Sequence, residues 1–238
     1  MRRVAAVILM LVAGFASTGS RQFVEGSSQY LDRTSSPIGT YPCTISVWFK
    51  VGSLANNHSL VYLGSTADAR RMLLYVEGSA AGNHIRLSTV PNGGGSGTDI
   101  ISTATVSAGT WINVVGVWTS ATSRALYVNG VADGTSAVSV TVSSLGRYAI
   151  GARGSPAPTY GVYHDGYIGE VGIWNTALSA ADAAELAVGE NPRKVRPSTE
   201  LVSYVPLWDP LSPVVDLVGG TFTVNGATFS NDHPPVFQ

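Results

Sequence analysis

"YIGEVGIWNTALSAADAAELAVG", Tyr167 to Gly189, changes its period midway. From Tyr167 to Trp174 the residues alternate as a strand with two different faces does. From Ser179 the pattern becomes helical. Ser179 can cap the N-terminus by accepting from the backbone N–H of Asp182, and Asp182 adds negative charge where the helix dipole favours it. Ala180, Ala181, Ala183, Ala184, Leu186 and Ala187 are strong helix formers, and Gly189 is placed to end the run. A helix near residues 179–188 is marginal alone, so it must dock through Leu186 and its neighbours. The stretch reads as a strand leading into one short capped helix.

Glu170 lies inside that strand and raises the question of chemistry. A glycan-cleaving enzyme needs two carboxylates across one sugar, which a strand supplies as acids alternating on one face. By strict alternation Ile168, Gly172 and Trp174 share the face of Glu170, and the nearest acid, Asp165, is an odd number of residues away. Glu170 therefore reads as a structural acid, and no catalytic residue is assigned.

Outward from this stretch, short β-branched and aromatic runs separated by turn residues recur from Arg21 onward, which points to an all-β sandwich or barrel. In "CTISVWFK", Ile45, Val47 and Phe49 share one face, while Trp48 falls on the polar side and must be covered by another element. "WINVVGVW" is apolar on both faces, as in a central strand buried between layers. Asn129-Gly130 predicts a tight type I′ hairpin. Late strands are expected over Leu201 to Leu207 and Thr221 to Phe229, with "NPRKVRPS" as a linker before them. "NGGGSG", Asn92 to Gly97, reads as a flexible loop with almost no side chains to pack.

The chain has 238 residues, of which 12% are charged and 27 are Gly. That length and composition suit one large all-β domain better than a disordered or coiled-coil chain. A formal net charge of −1 gives no general attraction to nucleic acid. Cys43 is the sole cysteine, so neither an intrachain disulfide nor a cysteine-based zinc site can form. His58, His84, His164 and His233 show no metal-ligand spacing among themselves.

At the N-terminus, Arg2 and Arg3 precede an apolar run from Val4 to Ala16, followed by Ser17, Thr18, Gly19 and Ser20. That is the layout of a secretory signal peptide. About 13 residues are too few for a transmembrane span, which needs about 20. Residues 1–18 are thus expected to be a signal-peptide-like segment, or else an apolar arm that packs on a neighbouring subunit. Residues 19–238 are expected to form a single domain, with a C-terminal extension over about 190–238.

The long loop Gly151 to Gly166 contains Pro156 and Pro158 and carries Tyr160, Tyr163, His164 and Asp165. Aromatic faces that stack on sugar C–H surfaces, with a few polar groups beside them, make these four the candidate ligand-binding residues.

"RQFVEGSSQYL", "CTISVWFK", "WINVVGVWTSATSRALYVNG" and "IGEVGIWNTALSAADAAELA" together resemble the laminin G-like domains of the concanavalin A-like lectin and glucanase superfamily, in order and rough spacing. The resemblance covers about Arg21 to Val188. It implies a two-sheet antiparallel jelly-roll sandwich with one short helix. It also implies a calcium ion, for which Glu25, Asp32 and Glu170 are the matching oxygen ligands. The family often shows an Asp-Glu pair where this chain has Gly169-Glu170, so one carboxylate is missing.

These readings lead to a non-catalytic lectin-like binding module, extracellular or on a cell surface, recognising a glycan or a surface protein through loops. The alternative is a bacteriophage virion structural protein, whose partners are other virion subunits and whose arm is the N-terminal apolar segment. A glycoside hydrolase or lyase of the same superfamily is the third reading.

Overall fold

The computed structural model describes residues 19–155, 159–197 and 199–236. The expected signal-like segment or arm, 1–18, lies outside the described residues, as do Pro156 and Pro158 of the long loop. The first strands are β1 (Ser20–Phe23), β2 (Tyr30–Arg33), β3 (Cys43–Val51), β4 (His58–Gly64), β5 (Arg71–Val76), β6 (His84–Val90) and β7 (Thr98–Thr105). Next come β8 (Ile112–Ser120), β9 (Ser123–Val128), β10 (Val131–Ser136), β11 (Arg147–Ile150), β12 (Arg153–Gly154), β13 (Tyr160–Gly161) and β14 (Gly166–Trp174). After them lie helices α1 (Ala180–Ala187) and α2 (Pro192–Val195), then β15 (Leu201–Val205), β16 (Val214–Val215), β17 (Thr221–Asn225) and β18 (Thr228–Ser230).

The strands form two large sheets packed face to face, the expected jelly-roll sandwich. The first runs β10-β9-β8-β3-β14-β1-β18, with β15 beside the second half of β14. The second runs β16-β17-β2-β11-β4-β5-β6-β7. Residues after 190 supply strands to both sheets, so they are woven into the sandwich and not hung from it. The expected single strand from Thr221 to Phe229 is in fact two. Gly226, at φ +79°, turns the chain from β17 in the second sheet to β18 in the first. "NPRKVRPS" is likewise more than a linker, because Asn191 caps α2 and Pro192 and Val195 are buried.

The inner faces make one core. Ile45, Val47 and Phe49 of β3 meet Leu60, Leu74 and Leu87 of the other sheet, with Trp118 fully buried among them and its Nε1 donating to Thr89 Oγ1 at 2.8 Å. Each such side chain contributes roughly 1.5–3 kcal/mol by leaving water. Strand β8 is covered on both sides as its sequence predicts: Ile112, Val114 and Trp118 face the core, and Val115 and Val117 face α1. The thiol of Cys43 is buried, which pushes its pKa up.

The outer face of the first sheet carries a second layer. Leu178, Ala183, Leu186 and Val195 of the helical segment pack with Trp174, Leu201 and Tyr204. Helix α1 has the expected cap: Asp182 N donates to Ser179 Oγ at 3.3 Å, and Ser179 N donates back to Asp182 Oδ2 at 2.6 Å. Thr44, on the polar side of β3, accepts from Leu178 N at 3.1 Å and donates to Thr176 O at 2.7 Å, which fixes the helix entry. Trp48 is also covered, lying opposite Gly169, over which Pro234 of the C-terminal tail packs.

Strict alternation fails in β14. Between Gly169 and Gly172 this strand has one residue more than β3 opposite, and Glu170 adopts φ +53°. The bulge reverses the faces beyond it. Ile168, Val171 and Ile173 all point into the core, whereas Trp174 joins the outer layer under α1. Ile168 and Trp174 therefore lie on opposite faces, contrary to the alternation read from sequence.

Candidate functional site

With the outer face of the first sheet occupied by helices and tail, the outer face of the second sheet is the open one. Strand registers align a row across it: Asp32, Ala149, Tyr62, Leu73, Ser88 and Asp99. Alternation puts Arg71, Leu73 and Tyr75 of β5 on this side, with Arg86, Ser88 and Val90 of β6 beside them. These six, with Gly97, Asp99 and Arg153, line an open groove of about 410 Å³. Its walls are mostly polar, and Tyr75 supplies a half-buried aromatic side chain.

The β12–β13 hairpin lies over the middle of this face. Gly154 sits so close to the Tyr62 ring that a Cβ there would fall 2.8 Å from Tyr62 Cε1. Arg147 holds the hairpin from below: its Nη1 donates to Ser155 O at 3.1 Å, and its guanidinium stacks over Tyr160. On the far side of the hairpin, Tyr30, Tyr160 and Tyr163 form an aromatic shelf. The Tyr30 ring centroid lies 4.3 Å from that of Tyr160 and 6.0 Å from that of Tyr163. Tyr160 OH donates to Asp32 Oδ2 at 3.2 Å, and Asn225 Nδ2 donates to Asp32 Oδ1 at 3.0 Å. Burial, reinforced by the Asp32 charge, pushes the Tyr160 phenol up to about 12, so it stays a neutral donor.

The four expected ligand-binding residues separate into two groups. Tyr160 and Tyr163 are half-buried on the shelf. His164 turns inward and is completely buried, edge-on to Phe23 and His58, so it cannot reach a surface ligand. Asp165 points toward Gly52, and its N–H donates to His58 Nδ1 at 3.2 Å. His164 lies between strands, where its own N–H donates to Gly151 O at 2.8 Å and the backbone turns at Val162 (φ +52°) and Gly166 (φ +132°).

The three expected calcium ligands do not meet. Glu25 lies in a 3-10 turn and accepts from Asn56 Nδ2 at 3.1 Å. Asp32 is on the outer side of the second sheet, engaged by Tyr160 and Asn225. Glu170 is buried among the outer layer of the first sheet, where it accepts from Tyr204 OH. The thickness of the sandwich separates Asp32 from Glu170, and no cluster of three or more His, Cys, Asp or Glu able to hold a metal occurs among the described residues. These residues do not fit a shared calcium ion.

The arginines and Tyr75 of the groove escaped the sequence reading. In "RRMLLYV", Arg71, Leu73 and Tyr75 alternate, but the sequence does not say which strands lie beside them.

A family model described as concanavalin A-like lectin/glucanases superfamily, laminin G type, matches residues 25–184. The chain belongs to that laminin G family. Among solved structures it resembles a candidate carbohydrate binding protein from Bacteroides ovatus, at TM-score 0.69 and 18% identity, over 93% of this chain and 62% of that one. The chain thus spans under two thirds of that protein. It also resembles a native heptameric SAP-like pentraxin from Limulus polyphemus, at TM-score 0.64 and 16% identity, over 90% of this chain and 94% of that one. A third likeness is the CBM40 of the Ruminococcus gnavus IT-sialidase bound to α2,3-sialyllactose, at TM-score 0.54 and 15% identity, over 74% and 99%. No curated protein matches the sequence. No helix among the described residues is long and apolar enough to cross a membrane.

Proposed function

We propose that the protein is a non-catalytic carbohydrate-binding module of an outer surface, which takes up glycan along the open face of its second sheet. The observation that carries this reading is the groove of about 410 Å³ that joins Tyr75 to several convergent polar side chains. A sugar needs an aromatic face to rest on and hydrogen-bonding groups around it, and the groove offers both. Asp99, the one acid among the groove's lining residues, and Glu77 are both held by Arg86, an arrangement suited to holding a ligand rather than moving protons. The names of the Bacteroides and Ruminococcus neighbours support the same class of ligand.

The test is a broad glycan array probed with the purified chain, with and without calcium, alongside Tyr75→Ala. Binding by the native chain that falls at least about tenfold in the variant supports the reading, a loss equivalent to about 1.4 kcal/mol. An array with no bound glycan under either condition overturns it.

A second reading, assembly with virion subunits or a surface protein, is favoured by one feature. Leu211, Val215, Leu217 and Val218 of the C-terminal region are apolar and 43–63% exposed. Light scattering on the native chain and on a Leu211→Ser, Leu217→Ser variant tests it: an assembly present in the first and absent in the second is the expected result. A monomer in both contradicts self-assembly.

A further inference from the structure

Three arginines line the groove, and their partners divide unevenly. Arg86 is neutralised, with Nε 2.7 Å from Glu77 Oε1 and Nη1 3.3 Å from Asp99 Oδ2. Arg71 and Arg153 make no ion pair among the described residues. Among the described residues, Arg71 Nη1 donates only to the backbone carbonyl of Ala69, at 3.2 Å, and its buried Nε has no hydrogen-bond partner. A buried guanidinium donor left unsatisfied is costly, and a second guanidinium nearby adds to that cost. The pKa of Arg71 is lowered by burial first and then by the charge of Arg153. An anion placed between the two would relieve both effects, and guanidinium forks match carboxylate and sulfate geometry.

Position along the strand adds a constraint. Arg71, Leu73 and Tyr75 lie in line on one side of β5, with Ser88 opposite Leu73 and Arg86 opposite Tyr75. The groove therefore has a cationic end at Arg71 and Arg153 and an aromatic end at Tyr75, with Leu73 and Ser88 as its floor.

Resting on the glycan-binding reading, we propose that this groove selects acidic glycans: a sugar carboxylate or sulfate seats between Arg71 and Arg153 while the sugar ring lies against Tyr75. Neutral glycans gain the Tyr75 contact alone and bind more weakly.

Calorimetric titration with three probes tests this: an oligogalacturonate, the same oligomer fully methyl-esterified, and a heparin oligosaccharide. The oligogalacturonate, the heparin oligosaccharide or both should bind roughly 10- to 100-fold more tightly than the esterified oligomer, the range expected for one or two charge-assisted contacts. Which of the two binds tells carboxylate from sulfate. Arg71→Gln with Arg153→Gln should remove that preference while leaving the thermal unfolding transition cooperative. Arg71→Lys with Arg153→Lys, which keeps charge but not the fork, should restore part of it and serves if the Gln pair does not fold. Equal affinity for free and esterified oligomers, or full acidic-glycan affinity in the Gln pair, overturns the inference yet leaves a neutral-glycan module standing. Failure of every glycan on the array overturns the glycan-binding reading itself, and this inference with it.

Discussion

The guanidinium of Arg147 lies 4.5 Å from the centre of the Tyr160 ring, and its Nη1 also donates to Ser155 O. One side chain of β11 thereby fastens both strands of the β12–β13 hairpin to the sheet beneath. Cation–π attraction and a charged hydrogen bond together are worth about 1–3 kcal/mol in such a half-buried setting. Arg147→Ala should lower stability within that range and speed amide exchange in the hairpin. It should also weaken ligand binding, because Arg153 stands on the same hairpin. Unchanged exchange across residues 151–161 contradicts this role.

Glu170 serves the fold. Buried at the bulge, it accepts from Tyr204 OH, which in turn receives Asn191 Nδ2 at 3.2 Å. Glu170→Gln and Tyr204→Phe should each cost about 1–3 kcal/mol in chemical denaturation and leave glycan affinity within about twofold. Turnover of a β-glucan by the native chain that the Gln variant loses would refute this assignment.

Asp216 ties the C-terminal strands to the second sheet. Its side chain is fully buried, faces Arg33 Nη1 at 3.1 Å, and accepts from Ser203 Oγ and Tyr204 N. Asp216→Ala strands the Arg33 charge and should cost about 3–5 kcal/mol, the range for breaking a buried pair. A loss below about 1 kcal/mol in urea unfolding contradicts the assignment.

The buried histidines make stability depend on pH. Burial, with the neighbouring His58 adding to it, lowers the His164 pKa to about 3, and burial lowers that of His58 against the opposing pull of Glu25 and Asp165. Above about pH 6.5 both rings are neutral whether the chain is folded or not. As pH falls below that value the unfolded chain takes up protons that the folded chain refuses, so stability drops by about 1.4 kcal/mol per pH unit for His164 alone. The loss continues down towards pH 3. Denaturation between pH 7 and 4 should show this slope, and His164→Phe should flatten it whatever its effect on stability at pH 7. An identical slope in the variant rules His164 out as its source.

Much of the sandwich was legible in sequence because local rules decided it. The Ser179 cap, the Asn129-Gly130 hairpin (φ +48° and +78°) and the two-sided burial of β8 each follow from a few neighbouring residues. What escaped was set by tertiary context. The bulge at Glu170 is flanked by Gly169 and Gly172, but glycines within a strand mark close packing as often as a bulge, and Gly226 as a corner looks in sequence like any of them. The supposedly loose Asn92–Gly97 stretch is partly tied, since Asn92 exchanges side-chain hydrogen bonds with Ser143 and Gly93 N donates to Asp68 Oδ2 at 2.8 Å. The proposed binding face was only half visible. Tyr160 and Tyr163 advertise themselves in a loop, whereas Arg71, Tyr75 and Arg153 gain meaning only when strands far apart in sequence align.

NMR titration of the isotope-labelled chain with the tightest glycan from the array shows whether ligand is held on the outer face of the second sheet. Amide shifts should concentrate at Arg71, Leu73, Tyr75, Ser88, Asp99 and Arg153. Shifts confined instead to the surroundings of Glu25 and Asp165, with the groove silent, would contradict it.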